Sequence, residues 1–144
     1  MTWQGIAEGA NGVIYYSFHG LFKFADKATF DSLWGSVVEV AREVKRFEEV
    51  LLSVEPAPVP VGAPPSLGVR TWRLGDAVYL LAVNTTREPL SAEIGLAGAR
   101  DAHPYRCVDV SAELGGGVSA TSAGRIRVEL PPIGVSLMRI QGSD

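Results

Sequence analysis

The sequence predicts an α+β protein: an N-terminal strand and a long helix, followed by a mainly antiparallel β-sandwich. Three observations carry this. A helical period runs from about Phe30 to Ser53, a period of two sets in after residue 66, and a proline-rich stretch separates the two. The 144 residues suffice for one ordinary domain or two small pieces. An apolar share of 47% beside 20% charged residues is that of a globular chain rather than a disordered one.

The elements follow in order. "TWQGIAEGA" reads as a short helix, with Gly9 and Gly12 where a left-handed residue closes a C-terminus. "GVIYYSFHG", residues 12–20, is apolar on both faces, the pattern of a strand inside a parallel sheet covered on both sides. No second segment has the same character, so such a strand lacks neighbours in this chain. The polar loop "HGLFKFADKAT" leads into the long helix. There Leu33, Trp34, Val37, Val40, Val44 and Phe47 fall within a wide apolar stripe, the face of a helix packed on a sheet. Its other face is charged, and a pair such as Lys45 with Glu49 adds only about a few tenths of a kcal/mol.

"EPAPVPVGAPP", residues 55–65, has five prolines in eleven residues, each removing a backbone donor and fixing φ. It reads as a semi-rigid connector. The expected organisation is therefore a helix-strand-helix portion over 1–54, a connector over 55–66 and a sandwich over 67–144. "VRTWRLGDAVYLLAVN" gives two strands joined at Gly75-Asp76, a two-residue hairpin signal. "LSAEIGLA" alternates, with Leu90, Ala92, Ile94 and Leu96 on one side. "YRCVDV", "GVSATS", "RIRVEL" and "VSLMRI" bring the expected strands to about seven, enough for a small sandwich.

Composition excludes several function classes. A net charge of −3 gives no electrostatic grip on a polyanion, so nucleic acid is not expected as a partner. No apolar run approaches about 18 residues, so no membrane-spanning helix is expected. "MTWQGIAEGA" lacks the basic flank and apolar core of a secretory signal, and the compartment stays open. Cys107 stands alone and reads as a small buried hydrophobe, with no disulfide or cysteine metal cluster. His19 and His103 are far apart, and Asp101 beside His103 does not complete a ligand set, so neither metal nor cofactor is expected.

Asp26 and Asp31, at the start of the long helix, read as cap or dipole partners rather than acid catalysts. No G-x-S-x-G marks a nucleophilic serine, and "LGGG" lacks the residues of a phosphate loop. Asn84-Thr85-Thr86 matches the glycosylation sequon, although a turn after a strand accounts better for Asn84. Trp72 and Tyr79 lie on neighbouring strands. They read as sandwich core or, if exposed together, as a sugar-stacking platform.

The stretch "WQGIAEGANGVIYYSF" resembles the last helix-to-strand passage of the (β/α)8 barrel in retaining glycoside hydrolases of the β-galactosidase and cellulase superfamily. The helix bearing Trp34 and "EVLLS" looks like the eighth barrel helix. "YLLAVNTTREPLSAEIGL" and "LPPIGVSLMRI" look like the β-sandwich often appended to such barrels. The resemblance implies that residues 1–54 are a remnant of a barrel whose other strands this chain does not contain. Retaining hydrolysis needs two carboxyl groups about 5 Å apart, and the family carries them on earlier strands, so no catalytic residue is carried over. At the C-terminal end of a barrel strand, Tyr16, Ser17 and His19 would face the sugar in a completed barrel. The implied function is a non-catalytic portion of a glycoside hydrolase-like protein, not an enzyme by itself. Its expected partners are carbohydrate, a missing barrel portion or a second copy. The alternatives are a carbohydrate-binding module and an assembly domain acting through oligomerisation.

Overall fold

The computed structural model describes residues 1–15, 19, 23, 26–98, 105–110, 117–120 and 125–142. Among these residues the helices include α1 (Thr2–Ala7), α2 (Lys27–Arg46) and α3 (Glu48–Leu51). The strands are β1 (Val59–Val61), β2 (Leu67–Leu74), β3 (Ala77–Asn84), β4 (Leu90–Ala97), β5 (Tyr105–Asp109), β6 (Gly117–Ala120), β7 (Arg125–Leu130) and β8 (Val135–Gly142). They form two antiparallel sheets, one ordered β2-β3-β8-β5 and the other β1-β4-β7-β6. The α+β class and the sandwich are thus as the sequence predicts.

The strands show why the sheets stack. In β7, "RIRVEL", Ile126, Val128 and Leu130 are buried while Arg125, Arg127 and Glu129 are exposed, the alternation of a sheet with one wet face. In β3, "AVYLLAVN", the last five residues are all buried. Leu80 and Ala82 join Ile94, Ile126, Val128 and Met138 in the core between the sheets. Leu81 and Val83 point the other way, into a second cluster with Trp3, Ile6, Val50 and Trp72. The β2-β3-β8-β5 sheet is therefore covered on both faces, by its partner sheet and by a helical layer made of α1, α3 and the end of α2. Period two sorts a strand's residues onto two faces, and a strand buried on both reads as a continuous apolar run.

Turn chemistry fixes the register. Leu74 pairs with Ala77 across Gly75-Asp76, and Gly75 has φ +60, as the first position of a type II′ hairpin requires. The β7–β8 turn is less usual. Gly134 N–H donates to the Pro131 carbonyl at 2.9 Å, Pro132 and Ile133 are its central residues, and Ile133 has φ +55, where a type II turn normally holds glycine. Thr86 O accepts from Ile133 N–H at 2.9 Å and holds that conformation. Gly134 cannot be exchanged for alanine without movement, since a Cβ there would lie 2.6 Å from Pro131 Cδ.

Four local expectations need correction. The proline-rich stretch is not bare connector, for it contributes β1, which pairs with β4 through Val59–Ala97 and Val61–Gly95. Pro60 is tolerated because β1 is an edge strand. Just before β1, Glu55 forms a bridge with Arg73, Arg73 Nε donates to Pro56 O at 2.9 Å, and Thr71 Oγ1 donates to Pro58 O. This stitches the stretch along the edge of β2.

The long helix, expected without interruption to Ser53, breaks at Phe47, with φ −105 and ψ 14. Its N–H turns to Val44 O at 3.1 Å, tightening the last turn, and α3 restarts so that Val50 is buried. The same break moves the Lys45 ion pair from Glu49 to Glu48. Finally, Gly12–Tyr15, the described start of the expected N-terminal strand, pairs with no strand among the described residues, and Val13, Ile14 and Tyr15 are exposed. An apolar pattern supplies a strand's side chains but not the backbone partners its N–H and C=O groups need.

Candidate functional site

The helical layer meets the sandwich through α1. This helix ends in a Schellman motif: Gly9, at φ +114, donates to Ile6 O at 3.1 Å, and Ala10 N–H donates to Gly5 O at 2.9 Å. Arg70 of β2 completes the end. Its Nη1 donates to the carbonyls of Ile6 at 3.0 Å and Ala10 at 3.2 Å, and its Nη2 to Asn11 Oδ1 at 3.1 Å. A cation among the last carbonyls also suits the helix dipole. The guanidinium lies 4.9 Å from the centre of the Trp72 ring, within cation–π range. Two residues earlier on the same face, a Cβ on Gly68 would lie 3.4 Å from Ala7 Cβ, so glycine allows α1 its close approach.

On its other side α1 borders an open cleft of about 280 Å³, walled by residues 10–13, Tyr15 and the end of α2 with α3. Ile6, Val44 and Leu51 supply its apolar surface. At the edges, the Thr2 and Tyr15 hydroxyls bond at 2.8 Å, and Lys45 pairs with Glu48. Trp3 Nε1 reaches Glu43 at 3.4 Å and ties α1 to α2. The cleft has the apolar lining of a binding site and lies at the small end of the usual ligand-pocket range.

The sequence-derived candidates fare unevenly. Tyr16 and Ser17 lie outside the described residues, as do Asp101 and His103. His19 is exposed and does not line the cleft. Asp26 is the N-cap of α2: its carboxylate accepts from Thr29 N–H at 2.9 Å and from Thr29 Oγ1 at 2.7 Å. The backbone bond, then the hydroxyl bond, hold its pKa below the ordinary carboxylate value. Asp31 pairs with Lys27 at 2.6 Å.

Trp72 is 3% exposed and belongs to the core, so no sugar-stacking platform is built on it. Its Nε1–H is buried without a hydrogen-bond partner among the described residues. Cys107 packs half-buried against the inter-sheet core, and burial raises its thiol pKa. Among the described residues, no three of His, Cys, Asp or Glu converge as metal ligands. No helix among them is long and apolar enough to cross a membrane.

Asn84 is fully buried at the end of β3. Its Nδ2 donates to Glu88 O at 2.7 Å and Pro131 O at 2.8 Å, and its Oδ1 accepts from Thr86 N–H at 2.9 Å and Thr86 Oγ1 at 2.8 Å. One carboxamide thus joins the β3–β4 connection to the β7–β8 turn, the turn role the sequence favours.

Sequence reasoning passed over Arg70, although a signal existed. In "LGVRTWRL" the residues sharing a face with Trp72 are Gly68, Arg70 and Leu74, so an arginine interrupts an apolar row. The cleft had no such signal, because its walls come from segments about thirty residues apart that only the fold brings together.

No protein-family model matches the sequence, and no curated protein matches it significantly. Among solved structures, it is similar to a glycoside hydrolase family 30 subfamily 8 xylanase from Clostridium acetobutylicum. There the TM-score is 0.42 at 14% identity, over 55% of this chain and 21% of that one. A family 30 endoxylanase from Clostridium papyrosolvens C71 gives a TM-score of 0.40 at 14% identity, over 57% and 22% of the two chains. The chain thus matches about a fifth of the length of these enzymes.

Proposed function

We propose that this chain is the non-catalytic C-terminal portion of a glycoside hydrolase-like protein, its sandwich serving as a structural appendage to a carbohydrate-hydrolysing barrel. The observation that carries the reading is α2. It presents an apolar stripe as wide as a helix packed on a sheet needs, yet none of its twenty residues is buried. Among the described residues, its C-terminal end, at Val44, packs against the outer cluster of the sandwich. The resemblance of residues 3–18 to a last barrel passage supplies the class of what would cover the rest. On this reading Tyr16, Ser17 and His19 face sugar only in a completed barrel.

The test is the solution mass by light scattering, beside a reducing-sugar assay on β-linked glycans. The chain alone is expected to release no sugar. It is expected to associate beyond a monomer, and Leu33→Asp, at a site 46% exposed on the stripe, should return it to monomer with its helix content kept. A wild-type monomer with fully protected α2 amides would overturn the reading, and so would hydrolysis by the chain itself.

A further inference from the structure

The sequon Asn84-Thr85-Thr86 and the buried lock formed by Asn84 use the same atom. N-glycosylation joins the anomeric carbon of a phosphate-activated sugar donor to the asparagine Nδ2. The amide gives up one N–H proton, and the donor's phosphate leaves with the electrons of the broken C–O bond. In this protein Nδ2 has two hydrogens, and the carbonyls of Glu88 and Pro131 accept them at 2.7 and 2.8 Å. The side chain is completely shielded from solvent. Replacing either hydrogen by a sugar removes one of these bonds and forces a bulky polar group between two packed turns.

We infer that Asn84 is a glycan acceptor only while the β3–β4 connection and the β7–β8 turn are open, so folding and modification exclude each other at one amide. Thr86 sharpens the exclusion. Its hydroxyl is the sequon's recognition group, and in the fold it is engaged with Asn84 Oδ1 at 2.8 Å and Glu88 O at 3.1 Å. Acceptor and recognition group are closed together, and opening one opens the other. The inference is independent of any relation to sugar hydrolysis.

The experiment offers a purified oligosaccharyltransferase and a lipid-linked oligosaccharide to three substrates, with the product read by mass spectrometry. They are the folded chain, the urea-unfolded chain diluted into the reaction, and a peptide of residues 80–90. The peptide and the unfolded chain should be modified. The folded chain should react more than about a hundredfold more slowly, the ratio that a local opening costing about 3 kcal/mol imposes. Chain modified while unfolded should then fail to regain its native near-ultraviolet dichroism. A folded chain modified as fast as the peptide would overturn the inference, as would a peptide that is not an acceptor or a modified chain that refolds.

Discussion

Helix α1 has six residues and buries three of them, whereas α2 has twenty and buries none. Length and amphipathicity favour α2 by any reading of the sequence, yet the short helix is the one built into the fold. The difference lies in what receives each helix. Sheet β2-β3-β8-β5 offers α1 a seat of matched parts: a glycine where the backbones approach, an arginine for its terminal carbonyls, and Trp72, Leu81 and Val83 beneath Trp3 and Ile6. A helix of this length has no stability of its own in water. An apolar stripe states that a face wants covering, and only the partner's shape decides whether it is covered.

This contrast can be broken at α1 first. Trp3→Ala removes one of the two tryptophans of the outer cluster at a site 5% exposed, and a loss of about 3–5 kcal/mol is expected. Urea unfolding reads it directly, and a loss below about 1 kcal/mol would mean that α1 is decoration.

Arg70→Ala is expected to cost less, about 1.5–3 kcal/mol, because it leaves the carbonyls of Ile6 and Ala10 without their charged donor. Hydrogen exchange should show the amides of Gly9 and Ala10 losing protection first. Arg70→Lys should recover little of the loss, since an ammonium lacks the planar fork that spans three acceptors.

The smallest effect belongs to α2 and concerns pH. The folded pKa of Asp26 is lowered by the bonds from Thr29, so its cap contributes fully above the ordinary carboxylate range. The contribution fades as pH falls through the lowered value. Helical dichroism should therefore drop slightly at acid pH with no shift of the sandwich's melting transition. In Asp26→Asn, which keeps a neutral cap, that acid-side drop should vanish.

The same contrast marks how far the sequence could be read. The strands from β2 onward, and the hairpin at Gly75, follow from alternation and turn chemistry, which are local. The cap at Asp26 and the core position of Trp72 were legible for the same reason. The break at Phe47 was not, because it turns α3 so that Val50 meets a cluster contributed largely by α1, β2 and β3. Nor was β1, since three residues among prolines carry no strand signal until β4 lies beside them. Gly12–Tyr15 erred in the opposite direction: its apolar character is real, but no strand among the described residues lies beside it. Of the expected sugar-facing residues, His19 is the one among the described residues. The cleft beside α1 came from the fold alone.

The reach of Arg70 also bears on time. Its bonds to Ile6 and Ala10 span sixty-four and sixty residues. Closing so long a stretch gives no return until the β2 surface already exists. Hairpin β2–β3, joined by a two-residue turn, can form early and display Gly68, Arg70 and Trp72 as a template. The N-terminal helix can then dock only once that hairpin displays its seat.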